Sequence, residues 1–306
     1  MQPLRGIVLK IMSVCVFVVM ASLIKATSDH VPPGQAVFFR SFFAMPVIVA
    51  WLLWRQELRN GLKTKNPTGH FFRGLVGTAA MGLGFAGLGL LPLPEVTAIG
   101  YAAPLLVVIF AAMFLNEQVR AFRLSAVGLG MVGVLIVLSP RLQVGASALD
   151  VRETLGAVVV LGGAVCAALA QVFVRKLVQT EGTAAIVFWF SVTASLLSLC
   201  TLPWGWVVPA PREFAMLLLA GLLGGLGQIL LTSSYRLADA SLIAPFEYTS
   251  MLLALGVGFF IFGEVPTLTM LAGAAIIIAA GVLIIWRERQ LGLERSRQRK
   301  AMTPAG

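Results

Sequence analysis

The sequence predicts an all-α polytopic membrane protein, and three observations support this fold class. The chain of 306 residues is 58% hydrophobic and only 12% charged, with a mean hydropathy of +0.93. Its apolar residues form continuous segments long enough to cross a bilayer as helices. The basic residues lie between those segments, where they set orientation rather than bind nucleic acid. A soluble domain would need a more polar surface, and a β-barrel would show short alternating segments.

Ten apolar segments are predicted to span the membrane, and the placement of Lys and Arg orients them. The predicted spans are residues 7–27, 35–54, 71–91, 95–115, 122–139, 154–177, 183–203, 214–235, 240–262 and 267–286. With the N-terminus in the cytoplasm, most of the 23 Lys and Arg residues fall on the inner side, and the outer loops hold Arg141, Arg152 and Arg212. Both termini are therefore predicted to be cytoplasmic, with residues 289–306 forming a basic cytoplasmic tail.

The second half of the chain repeats the first, with residues 5–139 matching residues 154–288. The matched positions are Gly6 with Gly156, Ser41 with Ser191, Trp54 with Trp204, Lys25 with Arg175, Tyr101 with Tyr248 and Glu117 with Glu264. Each half holds five spans, and an odd number makes the second half enter the membrane from the opposite side. The sequence therefore predicts two inverted five-helix repeats, an arrangement common in secondary transporters.

Glu247 is an acid within the apolar stretch of residues 240–264. A carboxylate there is costly unless it faces the bundle interior, a water-filled cavity or a partner. Pro245 lacks an amide hydrogen and predicts a kink. Positions one to three turns away are small or apolar and predict close helix packing: Ala244, Met251, Ala254 and Gly258. The matching position in the first half is Gly100, and this asymmetry favours a functional role in which Glu247 binds a cation or carries a proton.

Three further charged residues lie in predicted spans toward the outer side. Lys25 and Glu95 are near span ends and are predicted to reach the interface, although Glu95 is also placed to balance one of the bases. Arg40 lies deeper, and it either makes a structural contact with a carbonyl or carboxylate, or contacts an anion. Helix rise separates Arg40 and Glu247 in height by roughly 12 Å, so no direct ion pair is expected between them.

Polar and aromatic residues at membrane depth form a candidate set for substrate binding or coupling, together with Glu247 and Arg40. They are Thr97, Tyr101, Gln171, Trp189, Gln228 and Tyr248. Taken singly, each is explained by an interhelical hydrogen bond or an interfacial anchor. As a set in one bundle they would line a cavity for a planar or amphipathic solute. A second set is assigned structural or gating roles: Lys25, Glu95, Pro104, Glu117, Pro245 and Glu264.

Other motifs in the chain have simpler explanations. Residues 82–87 and 128–133 match the glycine pattern of a dinucleotide-binding turn, but both lie within apolar spans, where glycines favour close helix packing. The two histidines, His30 and His70, and the three cysteines show no metal-binding or catalytic spacing. No cofactor, nucleic-acid partner or enzymatic activity is predicted.

Several of these segments resemble the EamA type of the drug/metabolite transporter superfamily, over about residues 5–288. The matching pieces are Lys25, Arg40 in FFRSFFA, Glu117 in FLNE, Glu264 in IFGE, and the runs LPLPEVTAIGYAAPL and APFEYTSML. The resemblance implies ten spans in two inverted repeats, with both termini in the cytoplasm. It also implies a central cavity built from spans one to four and six to nine, with the fifth and tenth peripheral. Phe190 stands at the position that matches Arg40, so a symmetric role for this arginine is not implied.

The resemblance and the buried charges predict a secondary transporter in the bacterial inner membrane, working by alternating access around a central cavity. Its partners would be the lipid bilayer and a small organic solute of amino-acid, vitamin or nucleotide-like character, with protons as candidate coupling ions. No P-loop occurs, so ATP-driven transport by this chain is not expected. Two alternatives stay open, a lipid-linked flippase on the same fold and a membrane-embedded enzyme.

Overall fold

A computed structural model describes residues 3–115, 121–141, 148–177, 180–237 and 244–302, which form helices joined by short turns, with no strand among them. The helices of the first half are α1 Pro3–Thr27, α2 Pro33–Phe42, α3 Ala44–Trp54, α4 Leu58–Gly61, α5 Pro67–Leu90, α6 Leu93–Gly100, α7 Ala102–Leu115 and α8 Ala121–Leu138. Those of the second half are α9 Ala148–Leu177, α10 Thr183–Leu199, α11 Pro211–Leu237, a 3-10 turn Ala244–Tyr248, and then α12 Thr249–Phe262 and α13 Leu268–Met302.

Seven segments among the described residues are helical, long and apolar enough to cross a membrane. Three shorter apolar helices, Leu124–Leu138, Ala184–Leu199 and Phe246–Phe262, overlap further predicted spans. The prediction of an all-α polytopic membrane protein is therefore confirmed. The number of ten crossings and the side of each terminus stay predictions. In the predicted orientation, the inner side of the membrane is the cytoplasmic side.

Two predicted spans are each divided into two helices. The span predicted at 35–54 breaks at Phe43, between α2 and α3, and the span predicted at 95–115 breaks at Tyr101, between α6 and α7. A proline follows each break by three residues, Pro46 and Pro104 respectively. Proline has no amide hydrogen to donate to the carbonyl one turn earlier, and this missing bond explains why the helices break there.

The span predicted at 240–262 is also interrupted, and this corrects the expected setting of Glu247. Residues 244–248 form a 3-10 turn, and the α-helix begins at Thr249. Glu247 therefore precedes α12 instead of lying within a continuous α-helix. The backbone of Pro245 belongs to the same turn.

Three pairs of long helices build the bundle. α1 packs along α11, α5 along α9, and α8 along α13. The last pair is close enough for backbone contact, because a Cβ added at Gly133 would lie 2.8 Å from the carbonyl oxygen of Gly273. The face predicted to pack closely on α12 is buried at Met251, Ala254 and Gly258. The shorter helices α6 and α7 pack against α8, α9 and α13, and α12 packs against α1 and α6.

Candidate functional site

An ion pair between α1 and the 3-10 turn lies at the centre of the candidate site. Lys10 Nζ contacts Glu247 Oε2, and the two residues are 237 positions apart in the chain. Lys10 is almost fully buried, with 2% of its side chain exposed, whereas 47% of the Glu247 side chain is exposed. The ammonium is thus held inside the protein while the carboxylate stays accessible. A cation that reaches Glu247 would compete with Lys10 for the same oxygens.

Two tyrosines meet beside this ion pair, each at a helix break. The rings of Tyr101 and Tyr248 are 5.1 Å apart at an interplanar angle of 71°, a favourable edge-to-face geometry. The Ser250 hydroxyl donates to the carbonyl oxygen of Glu247 at 2.7 Å. The single hydroxyl proton of Ser250 is used in that bond. The Tyr101 hydroxyl is therefore the donor in the 2.5 Å contact between Tyr101 and Ser250 Oγ. Tyr101 is therefore linked to the backbone of Glu247 through one serine.

Tyr248 also contacts the last helix, which the family resemblance implied to be peripheral. Its hydroxyl lies directly against Gly281 of α13, in space that a Cβ at that position would occupy. Helix α13 therefore forms part of the wall behind the tyrosine pair.

Lys25 connects the ends of α1, α5 and α12. Its ammonium pairs with Glu264 Oε1 at 2.9 Å and donates to the carbonyl oxygens of Leu88 and Leu91 at 3.0 and 2.8 Å. The other oxygen of Glu264 accepts from the backbone N–H of Leu93 at 2.9 Å. The ammonium satisfies carbonyls at the end of α5 and joins them to the end of α12.

Arg40 is buried, with 4% exposed. Glu247 pairs with Lys10, and within the described part of the chain no ion pair joins Arg40 to Glu247. Glu95 is also buried. The carboxylate that neutralises Lys25 belongs to Glu264. Glu117, the other acid assigned a gating role, lies outside the described residues.

The remaining residues predicted to line a cavity do not all converge on the ion pair. Trp189 donates through Nε1 to the carbonyl oxygen of Leu62 at 3.0 Å, which ties it to the loop before α5. Thr97 donates to a carbonyl of its own helix. Gln171 is exposed and Gln228 is half-buried. Pro104, which was assigned a structural or gating role, is exposed.

A cavity of about 230 Å³ lies away from the ion pair, toward the outer ends of α1 and α5. Its polar lining comes from Ser28 and from Arg152, which donates to the carbonyl oxygen of Gly89 at 3.0 Å. The rest of the lining is mainly apolar, and neither Glu247 nor the tyrosine pair contributes to it. This cavity is therefore separate from the centre formed by Lys10 and Glu247.

A second cross-link, which the sequence did not indicate, joins two loops on the predicted inner side. Glu181 Oε1 accepts hydrogen bonds from the backbone N–H groups of Lys65 and Asn66 at 2.6 and 2.8 Å, and from Thr64 Oγ1 at 3.1 Å. Its other oxygen lies 3.7 Å from His70 Nε2. Desolvation opposes ionisation of Glu181, but the hydrogen bonds outweigh it and lower the pKa of this carboxyl below its ordinary value.

We expect Glu181→Gln to lower the thermal denaturation midpoint at neutral pH by about 2–4 °C. The lowered pKa means that the ionised carboxylate stabilises the fold at pH values above about 4.5, and that this contribution is lost as the pH falls through the pKa of the folded state. The difference between wild type and variant should therefore shrink in acid. Glu57→Gln, at an exposed position of the same inner loop, is the matched control. A difference that stays constant from neutral to acidic pH would contradict the assignment.

The fold and the site define a class of protein: a polytopic helical bundle with a charged, partly accessible centre beside broken helices, as in membrane carriers of small solutes. The chain belongs to the EamA-like transporter family, whose family model matches residues 4–139 and 154–286. The resemblance found in the sequence is thus confirmed. The chain is a multi-pass transporter of the bacterial inner membrane in the drug/metabolite transporter superfamily.

Individual relatives agree with this assignment. The chain is 29% identical to the S-adenosylmethionine uptake transporter of Rickettsia bellii over 256 residues, covering 84% of each protein. It is 29% identical to a pseudopaline exporter of Pseudomonas aeruginosa, covering 91% of this chain and 95% of that protein. A solved crystal structure superposes with a TM-score of 0.66 at 20% identity, covering 92% of this chain and 98% of that one. The family and these relatives indicate a transporter of small metabolites and not an enzyme.

Proposed function

We propose that this protein is a secondary transporter for a small organic metabolite with a cationic group, and that Glu247 binds that group or carries a proton. The observation that carries the proposal is the ion pair between buried Lys10 and accessible Glu247. A substrate cation that replaces Lys10 at Glu247 would gain a carboxylate partner at membrane depth, where an unpaired charge is costly. The tyrosine pair beside it supplies aromatic faces that favour cations.

We also propose that the two halves are inverted repeats with ten crossings and cytoplasmic termini. The helix pairing supports this proposal, because exchange of the halves would convert the pair α1 and α11 into the pair α9 and α5. Both pairs occur as extensive contacts. The breaks at Tyr101 and Tyr248, matched positions in the two halves, meet each other. Discontinuous helices at a repeat interface are typical sites of substrate and ion binding in carriers.

The names of the relatives narrow the substrate class that should be tried first. One relative is named for S-adenosylmethionine uptake and another for pseudopaline export. S-adenosylmethionine carries a sulfonium cation and an α-amino group, either of which would suit Glu247. Because one name specifies uptake and the other export, transport by this chain should be measured in both directions.

The test is transport by the purified protein in reconstituted vesicles. We expect saturable movement of labelled S-adenosylmethionine, or of another amino-acid-derived cation from a panel, with competition by the unlabelled compound. If protons are coupled, an imposed proton gradient should change the rate. Failure to move any solute, combined with protein-dependent movement of lipid-linked molecules between leaflets, would replace the carrier by a flippase.

A further inference from the structure

Two arginines meet the same aromatic ring where α2, α5 and α10 pack together. The guanidinium carbon of Arg73, on α5, lies 3.6 Å from the ring centroid of Phe190, and that of Arg40, on α2, lies 5.8 Å from it. Since both guanidinium groups lie against one ring, their positive charges repel each other. Among the described residues, neither arginine forms an ion pair with a carboxylate. A pair of like charges inside a membrane protein is costly without compensation.

Unpartnered donors are concentrated at this place. In the described part of the chain, the buried side-chain nitrogen and oxygen atoms without a hydrogen-bond partner belong to four residues: Arg40, Ser41, His70 and Arg73. For the arginines these atoms are Nε of Arg40 and both Nε and Nη1 of Arg73. Contact with a ring attracts the cation but does not accept all of its N–H groups. Buried donors normally have an acceptor, so this cluster calls for one.

Glycines lie beside both arginines, and glycine has no side chain that could accept a hydrogen bond. A Cβ at Gly77 would lie 2.7 Å from Arg73 Nη1, and one at Gly224 would lie 3.0 Å from Arg40 Nε. Glu181, which is near His70, already accepts hydrogen bonds from Thr64 and from two backbone N–H groups.

The arginines also break the repeat, so close packing of the two halves does not explain them. Phe190 occupies the position in the second half that matches Arg40, and Ala220 occupies the position that matches Arg73. Ala220 is fully buried in an apolar cluster. The second half therefore makes the corresponding contacts without any charge.

We propose that Arg40 and Arg73 form a binding site for an oxyanion, a carboxylate or phosphate group held between the two guanidinium groups. Guanidinium groups bind such anions through paired N–H donors, and Phe190 would hold both planes in place. The helices that form this site, α2, α5 and α10, differ from the elements that hold Lys10 and Glu247. The proposal concerns binding at equilibrium and does not require the chain to transport the anion.

The test uses the full chain in nanodiscs of neutral phosphatidylcholine. Thermal denaturation is measured in chloride, acetate and phosphate at equal ionic strength, and equilibrium dialysis with radiolabelled phosphate measures binding directly. We expect acetate or phosphate to raise the wild-type midpoint by about 4 °C or more relative to chloride. Nanodiscs containing phosphatidylglycerol, kept in chloride, test whether a lipid headgroup supplies the oxyanion.

Three variants make the result specific. Arg40→Gln and Arg73→Gln should each abolish the rise, and their midpoints in chloride should not fall far, because each change removes a charge without a counter-ion. Arg55→Gln, at an exposed arginine paired with Glu57, should keep the full rise. An arginine-dependent rise seen with phosphatidylglycerol alone supports the site and makes a lipid its occupant. No rise with acetate, phosphate or phosphatidylglycerol relative to the chloride reference, or an equal rise in all variants, overturns the proposal.

Discussion

Glu247→Gln is expected to lower the initial rate of transport in reconstituted vesicles by about tenfold or more, equivalent to about 1.4 kcal/mol or more of lost interaction. The amide has nearly the same shape as the carboxylate but carries no charge, so it neutralises neither Lys10 nor a substrate cation. It also leaves the buried Lys10 ammonium without its ion-pair partner. The measurement is the rate of solute uptake as a function of substrate concentration, pH and an imposed proton gradient.

Two comparisons separate the roles of Glu247. If Glu247 binds the substrate cation, solute exchange without a proton gradient should fall as strongly as net uptake. If it carries a proton, exchange should persist while dependence on the gradient disappears. Glu57→Gln, at an exposed acid, serves as the charge-matched control. An unchanged rate together with an unchanged pH dependence in Glu247→Gln would remove this residue from the mechanism.

The double variant Lys10→Met with Glu247→Gln tests how much the ion pair contributes to stability, apart from its role in transport. Loss of one member of a buried pair is strongly destabilising because the other charge stays behind, whereas removal of both is often tolerated. We therefore expect the double variant to regain most of the stability lost by Glu247→Gln. Transport should stay low, since no carboxylate remains for the substrate.

Lys25→Met is expected to lower the free energy of unfolding by about 3 kcal/mol. The change leaves Glu264 without its counter-ion and removes the donor to the carbonyl oxygens of Leu88 and Leu91. The site has little access to water, since Lys25 is 13% exposed and Glu264 15%. Denaturant or thermal unfolding of the purified protein measures the loss.

Lys176→Met provides the control for Lys25, because Lys176 is exposed at the inner end of α9. It should change stability by less than about 0.5 kcal/mol. Lys25→Arg keeps the charge and should recover part of the loss, limited by the larger guanidinium. If Lys25→Met unfolds no more easily than Lys176→Met, the contacts of Lys25 contribute little to the fold.

The sequence predicted the general position of the site better than its chemistry. Glu247 was identified because a carboxylate in an apolar span is energetically costly. Tyr101 and Tyr248 were identified because they occupy matched positions in the two halves. Lys10 lies inside the first predicted span, in the same inner half of the membrane as Glu247, and this shared side was the available signal for their pairing. Arg73, Ser250 and Glu181 carry no motif, so their roles emerged only from their neighbours.

What the sequence determined by itself was the class of protein, the approximate spans and the family. These depend on the length of each hydrophobic segment, on the placement of basic residues and on local motifs. The bilayer sets the length and flanking charge of each span separately, so each span can be recognised from its own sequence. Only the tertiary structure decided that Lys10 neutralises Glu247, that Lys25 joins Glu264 to the end of α5, and that Arg40 and Arg73 share one ring. Such pairings depend on the rotation of each helix about its axis and on which distant helices become neighbours. The hydropathy of the chain specifies neither the rotation of a helix nor the identity of its neighbours.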